Sequence, residues 1–124
     1  MLETQTYTAI SKILIVDDHA EIRRMMKFFL RDLAVDFEEC ADSADAFRCY
    51  EKTRPDWVLM DWEMRQMDGL AATAQIIDKY PQAKILIVTQ YDDDELKKAA
   101  RTAGAKDFIL KENLMELRRQ IING

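Results

Sequence analysis

ILIVDDHAEIR, residues 13–23, joins two patterns in eleven residues. Ile13–Val16 is an aliphatic run with β-branched residues at both ends, which reads as a strand buried on both faces. Two carboxylates, Asp17 and Asp18, follow it directly. Beyond them Ile22, Met25, Met26, Phe29, Leu30 and Leu33 recur at steps of three and one, the spacing of an amphipathic helix whose apolar residues form its core face. A strand, an acidic turn and a helix therefore occupy the first third of the chain.

The alternation repeats outward from there. Val35–Cys40 reads as a second strand, and Ser43–Lys52 as a helix with Ala46, Phe47 and Tyr50 on one side and Asp42 as its cap. Trp57–Met60 is a third strand ending at Asp61. Gly69 breaks a loop before a helix from about Leu70 to Tyr80, which Pro81 closes. Ile85–Val88 is a fourth strand. Leu96, Ala99, Ala100 and Ala103 give a thin apolar face to a fourth helix, with Gly104 as its C-cap. Phe108–Leu110 is a fifth strand, and Leu114, Leu117 and Ile121 mark a last helix. Five strand–helix units imply a parallel sheet with helices on both faces and right-handed crossovers.

Length and composition agree with one such domain. The chain has 124 residues, enough to bury about two-thirds of its unfolded surface without staples. Hydrophobic residues at 48% and charged residues at 33% exclude a disordered chain. Residues 1–11 are polar and aperiodic and read as a flexible lead-in; residues 12–124 carry the domain. No apolar run approaches the roughly twenty residues of a membrane span, and the N-terminus lacks the pattern of a signal peptide. The expected location is the cytoplasm. Eighteen basic against 23 acidic residues give a net charge of −5, which argues against direct nucleic-acid binding by this domain. Cys40 and Cys49 form no CxxC motif and read as free thiols.

Parallel sheets of this type place their binding crevice beyond the carboxyl ends of the strands. At those ends stand Asp17 and Asp18 after the first strand, Asp61 after the third, Thr89 after the fourth and Lys111 after the fifth. Three converging carboxylates repel one another and would raise at least one pKa. A hard divalent cation relieves that repulsion, and Mg²⁺ takes oxygen ligands. Three carboxylates, Mg²⁺ and the Lys111 ammonium sum to zero formal charge. Such a site offers positive charge to phosphoryl oxygens, and an aspartate carboxylate can itself be the nucleophile. The acidic run Asp92–Glu95 reads as a cap on the fourth helix rather than a second metal site. His19 reads as a rim residue, because Mg²⁺ prefers oxygen.

The segments ILIVDDHAEIR (13–23), WVLMDWEMRQMDG (57–69), ILIVTQ (85–90) and GAKDFILK (104–111) make residues 12–123 resemble the receiver domain of a two-component response regulator. The resemblance implies a flavodoxin-like (βα)5 α/β fold with strand order 2-1-3-4-5. It implies that Asp61 is the phosphoacceptor, Asp18 the direct Mg²⁺ ligand, Asp17 its partner largely through water, and the Glu63 backbone carbonyl a further ligand. It makes Thr89 the hydroxyl that bonds a phosphoryl oxygen, Lys111 the family's lysine and Phe108 the aromatic switch. Glu63 and Tyr91 stand where the family tunes the lifetime of the phosphoryl group. Phosphorylation would bias the face made by the fourth helix, fifth strand and fifth helix. Two departures are Arg65, where the family usually has proline four residues after the acceptor, and Glu112, where it usually has proline after the lysine. Neither is read as disabling.

The implied function is a phosphoacceptor switch rather than a turnover enzyme. Its implied partners are a sensor histidine kinase or phosphotransfer protein and a downstream target or an output domain, with a weak homodimer across the output face. The alternative is a phosphorylation-independent receiver-like interaction module, a class that often lacks one of the key acids or the lysine. A haloacid-dehalogenase-type phosphohydrolase fits poorly, since residues 17–21 are not DxDxT-like. A flavodoxin-like electron carrier would need a phosphate-binding Ser/Thr/Gly loop after the first strand.

Overall fold

The computed structural model describes residues 10–34, 36–63 and 68–124. Five parallel strands, β1 (Lys12–Val16), β2 (Asp36–Cys40), β3 (Trp57–Asp61), β4 (Ile85–Thr89) and β5 (Asp107–Leu110), form one sheet in the order β2-β1-β3-β4-β5. The helices are α1 (Ala20–Leu30), α2 (Ala46–Thr53), α3 (Gly69–Lys79), α4 (Asp94–Ala103) and α5 (Leu114–Asn123). This is the flavodoxin-like fold, with the strand order 2-1-3-4-5, that the sequence resemblance implies.

Period-two alternation divides the apolar strands between two cores. Leu14, Val16, Val58, Met60, Ile85, Ile87 and Phe108 pack with α2, α3 and α4 residues such as Tyr50, Ile76 and Leu96. Ile13, Ile15, Trp57, Leu59, Leu86, Val88 and Ile109 pack with Met26, Leu30, Leu117 and Ile121 from α1 and α5. Both faces of the central strands are therefore dry, which is why their sequences run as unbroken aliphatics.

Several boundaries differ from the sequence reading. The segment after Asp42 is not one helix. A 3₁₀ turn, Ser43–Asp45, precedes α2, because the Asp42 carboxylate accepts from Ala44 N at 2.9 Å and tightens the entry. Gly69 is the first residue of α3 rather than a loop breaker, and Asp68 caps that helix by accepting from Ala71 N at 2.8 Å. Leu33 is buried but lies in the turn beyond α1. Met25 is not core: it is 46% exposed, whereas Met26 is fully buried. One residue turns a helix by about 100°, so Met25 falls off the edge of the stripe that holds Met26 and Leu30. The lead-in residues 1–9, Val35 and Arg65 lie outside the described residues.

Two glycines have definite reasons. Gly104 closes α4 at φ 107°, a left-handed conformation, and its N–H reaches the carbonyls of Ala100 and Arg101. Gly69 brings α3 against the end of β3. Its N–H donates to the Trp62 carbonyl at 2.7 Å, and a Cβ there would lie 2.1 Å from the Asp61 carbonyl oxygen. Gly69→Ala is therefore expected to lower stability by about 1–3 kcal/mol, as overpacking against backbone does. Urea unfolding measures this; an unchanged midpoint would contradict the close approach.

Candidate functional site at the carboxyl edge of the sheet

Strand register assembles the site. Val16 pairs with Met60, so Asp17 and Asp61 stand one step further at the same level. Thr89 pairs with Leu110, so Lys111 follows on the neighbouring strand. By alternation Asp17, Asp61 and Lys111 continue the face of Ile15, Leu59 and Ile109. Their side chains meet there: Lys111 Nζ lies 3.2 Å from Asp17 Oδ2 and 3.1 Å from Asp61 Oδ1. Thr89 continues the opposite face, and its Oγ1 accepts from Tyr91 N at 3.2 Å. The Lys111 N–H donates to the Thr89 carbonyl at 2.7 Å, so β4 sets the lysine's backbone even though Glu112 follows it instead of proline.

The acids are held from behind. Asp17 N–H donates to the Cys40 carbonyl of β2 at 3.0 Å. Its own carbonyl accepts from Arg23 Nη1 at 2.6 Å. Arg23 is in turn fixed by Glu39, which accepts from Arg23 Nε and from Lys27 Nζ, each at 2.7 Å. Those two cations hold the Glu39 carboxyl below its usual range, Lys27 contributing most. Sequence reading did not single out this brace. Arg23 and Glu39 are sixteen residues apart, and only the β1–β2 pairing brings them together.

Burial and charge make the site energetically tense. Asp17 is fully buried, Asp61 is 2% exposed and Thr89 is 1% exposed. Burial, then the neighbouring Asp17 charge, pushes the Asp61 carboxyl up from 3.8 to about 6, although Lys111 opposes the shift. Burial alone would lower the Lys111 pKa, but Asp17 and Asp61 outweigh it and raise it. Among the described residues, the buried Asp61 Oδ2 accepts no hydrogen bond, while Asp17 Oδ2 and Asp18 Oδ1 are met only at ion-pair distance, by Lys111 Nζ at 3.2 Å and His19 Nδ1 at 2.9 Å. Buried anionic oxygens without donors are costly unless a cation faces them. Asp17, Asp18, His19 and Asp61 each present a ligand atom, all within 4.8 Å of one another. This cluster fits a bound metal ion.

A cleft of about 190 Å³ opens above the acids, lined by His19, Asp61, Glu63, Thr89, Gln90, Tyr91 and Lys111. Tyr91 Oη donates to Glu63 Oε1 at 3.1 Å, and the Tyr91 ring meets Trp62 edge-on at 5.5 Å. These three residues bridge the loops after β3 and β4 beside the cleft. Phe108 is buried, next to β4 through its pairing with Ile87. The run Asp92–Glu95 behaves as a helix cap, with Asp93 accepting from Glu95 N at 2.9 Å. Cys40 and Cys49 are free, and burial pushes the Cys40 thiol up to about 12.

The Asp61 shift has a thermodynamic consequence. Between its ordinary value and about 6 the folded state holds a proton that the unfolded state has lost. Stability of the metal-free protein therefore falls as pH rises through that window. Asp61→Asn removes the ionisation. The variant is expected to exceed wild type above about pH 6 by as much as about 3 kcal/mol, with the gain shrinking towards pH 4. Urea unfolding in a chelator across this range measures it; a pH-independent difference would contradict the assignment.

Comparison with known proteins identifies the family of this fold. The family model described as the response regulator receiver domain matches residues 13–122. The transcriptional regulatory protein YhcZ of Bacillus subtilis (strain 168) is 40% identical over 104 residues, 82% of this chain and 48% of that protein. The oxygen regulatory protein NreC of Staphylococcus aureus (strain JH9) is 41% identical over 104 residues, 81% of this chain and 48% of that protein. The chain thus spans about half the length of the curated relatives it matches. A solved two-component response regulator of the LuxR family, from Aurantimonas sp. SI85-9A1, superposes with a TM-score of 0.83 at 29% identity, covering 93% of this chain and 86% of that one. The chain belongs to the response regulator receiver domain family.

Proposed function

We propose that this domain is a cytoplasmic phosphoacceptor switch in which Asp61 takes a phosphoryl group from a phosphohistidine on a sensor histidine kinase or phosphotransfer protein. The observation that carries the reading is the state of Asp61. One oxygen is held by Lys111 at 3.1 Å, while the other accepts no hydrogen bond among the described residues. A buried, donor-poor carboxylate oxygen is a competent nucleophile. In the transfer an Asp61 oxygen bonds to phosphorus as the phosphorus–nitrogen bond of the donor breaks, and its electron pair stays on the departing imidazole.

The remaining groups have roles consistent with their positions. The Lys111 ammonium faces the charge that builds on the phosphoryl oxygens. The Thr89 hydroxyl, at the cleft wall, donates to one of those oxygens in the phosphorylated state. Asp17, Asp18, Asp61 and the Glu63 backbone carbonyl would hold Mg²⁺, which when bound supplies positive charge to the carboxylates and the phosphoryl oxygens alike. Glu63 and Tyr91, joined by their hydrogen bond, border the route by which water reaches the acyl phosphate and so tune its lifetime. Thr89 and Phe108 lie on adjacent strands, so a shift of the threonine alters the room beside the aromatic ring and biases the α4-β5-α5 face.

Regulation is the purpose of this chemistry, not turnover of a substrate. The longer relatives named as regulatory proteins support an output through a linked domain or a partner, with a weak homodimer across the α4-β5-α5 face as one form of it. Among the described residues no helix is long and apolar enough to cross a membrane.

Intact mass after incubation with acetyl phosphate tests the proposal. Wild type is expected to gain one phosphoryl group only with Mg²⁺, and Asp61→Asn none. An adduct that persists in Asp61→Asn would overturn the acceptor assignment. Failure of wild type to gain a group and to form a beryllofluoride complex would favour the phosphorylation-independent module. Lys111→Ala is expected to retain some phosphorylation but to lose the conformational response, read from amide shifts on the α4-β5-α5 face; a full response would contradict the role given to the lysine.

A further inference from the structure

His19 occupies the N-cap of α1, a position where Ser, Thr, Asp or Asn normally bonds the first free N–H groups. Its side chain makes no such bond. The ring turns instead to the acid pair: Nδ1 lies 3.1 Å from Asp17 Oδ1 and 2.9 Å from Asp18 Oδ1. A neutral imidazole has one N–H and can satisfy one of these oxygens at most through Nδ1. The approach to Asp18 Oδ1 carries no hydrogen bond, and that oxygen is buried. In the tautomer whose proton is on Nε2, the Nδ1 lone pair faces both carboxylate oxygens at contact distance.

A cation accounts for that convergence. Neighbouring ligands of an octahedral ion with bonds of about 2.1 Å stand about 3 Å apart, and both contacts of Nδ1 match this spacing. The ring is 60% exposed and lines the wall of the cleft, so it meets an entering ion without displacing packed structure.

We infer that His19 adds a nitrogen ligand to the acid cluster and raises that site's preference for an imidazole-binding transition ion such as Ni²⁺ over Mg²⁺. Imidazole is a suitable ligand for nickel and its neighbours, whereas Mg²⁺ selects oxygen. The inference rests on the metal site proposed above, and it concerns only which ions that site holds best.

The test compares wild type, His19→Ala and His19→Asn by calorimetric titration with Ni²⁺ and with Mg²⁺. Asparagine supplies an N-cap side chain, so that variant keeps α1 intact. Both variants are expected to lose about tenfold or more in Ni²⁺ affinity while Mg²⁺ affinity changes less than about threefold. Pulsed electron paramagnetic resonance of bound Mn²⁺ is expected to show nitrogen coupling in wild type that both variants lack. Equal losses for the two ions, an unchanged ratio, or nitrogen coupling that survives in the variants would overturn the inference and leave the acidic site standing. Failure of wild type to bind any of the three ions would overturn both.

Discussion

Asp17 and Asp61 are buried side by side at one sheet edge with a single ammonium, Lys111, between them. Two buried negative charges against one positive leave a deficit of positive charge, and Asp18 adds a third carboxylate at the rim. The deficit shows in two independent ways. Asp61 holds its proton above the usual carboxylate range, and its second oxygen, Oδ2, is buried with no hydrogen bond among the described residues. Apolar residues in place of such a cluster often leave a protein as stable or more so, so the cluster is a poor device for stability alone. A cation, or a phosphoryl group with its own cation, would complete its charge.

The rest of the fold holds that cluster in place. The dry strands set its depth, because Ile15, Leu59 and Ile109 fill the layer beneath it. Register sets its width, because parallel pairing brings residues 17, 61 and 111 to one level from distant parts of the sequence. The Arg23–Glu39 brace fixes the Asp17 main chain from one side. On the other side Gly69 packs α3 against the Asp61 carbonyl with no room for a side chain.

Much of this was legible in the residues themselves. Apolar runs of three or four residues ahead of Asp17, Asp61, Thr89 and Lys111 are a strong local signal, and they located four of the five strands together with the polar groups at their ends. The Gly104 cap, and a cap within the run Asp92–Glu95, followed from residue type alone; that Asp93 is the capping residue came from the structure. Less visible were features that depend on which strands become neighbours. Arg23 resembles any exposed helix cation until β2 brings Glu39 beside it. His19 resembles a rim residue until its ring is seen against both acids. The 3₁₀ turn before α2 depends on one carboxylate, Asp42, turning back to Ala44 N. Met25 satisfied the helical spacing, but a spacing rule does not show how wide the buried stripe is.

The most direct measurement is a carbon-detected NMR titration of the Asp61 carboxyl, in a chelator and again with saturating Mg²⁺. The account predicts an apparent pKa of about 6 without metal and a marked fall when the cation is bound, as its charge favours the carboxylate. An ordinary carboxylate pKa in both conditions would contradict it, because the electrostatic tension on which the proposed switch depends would then be absent.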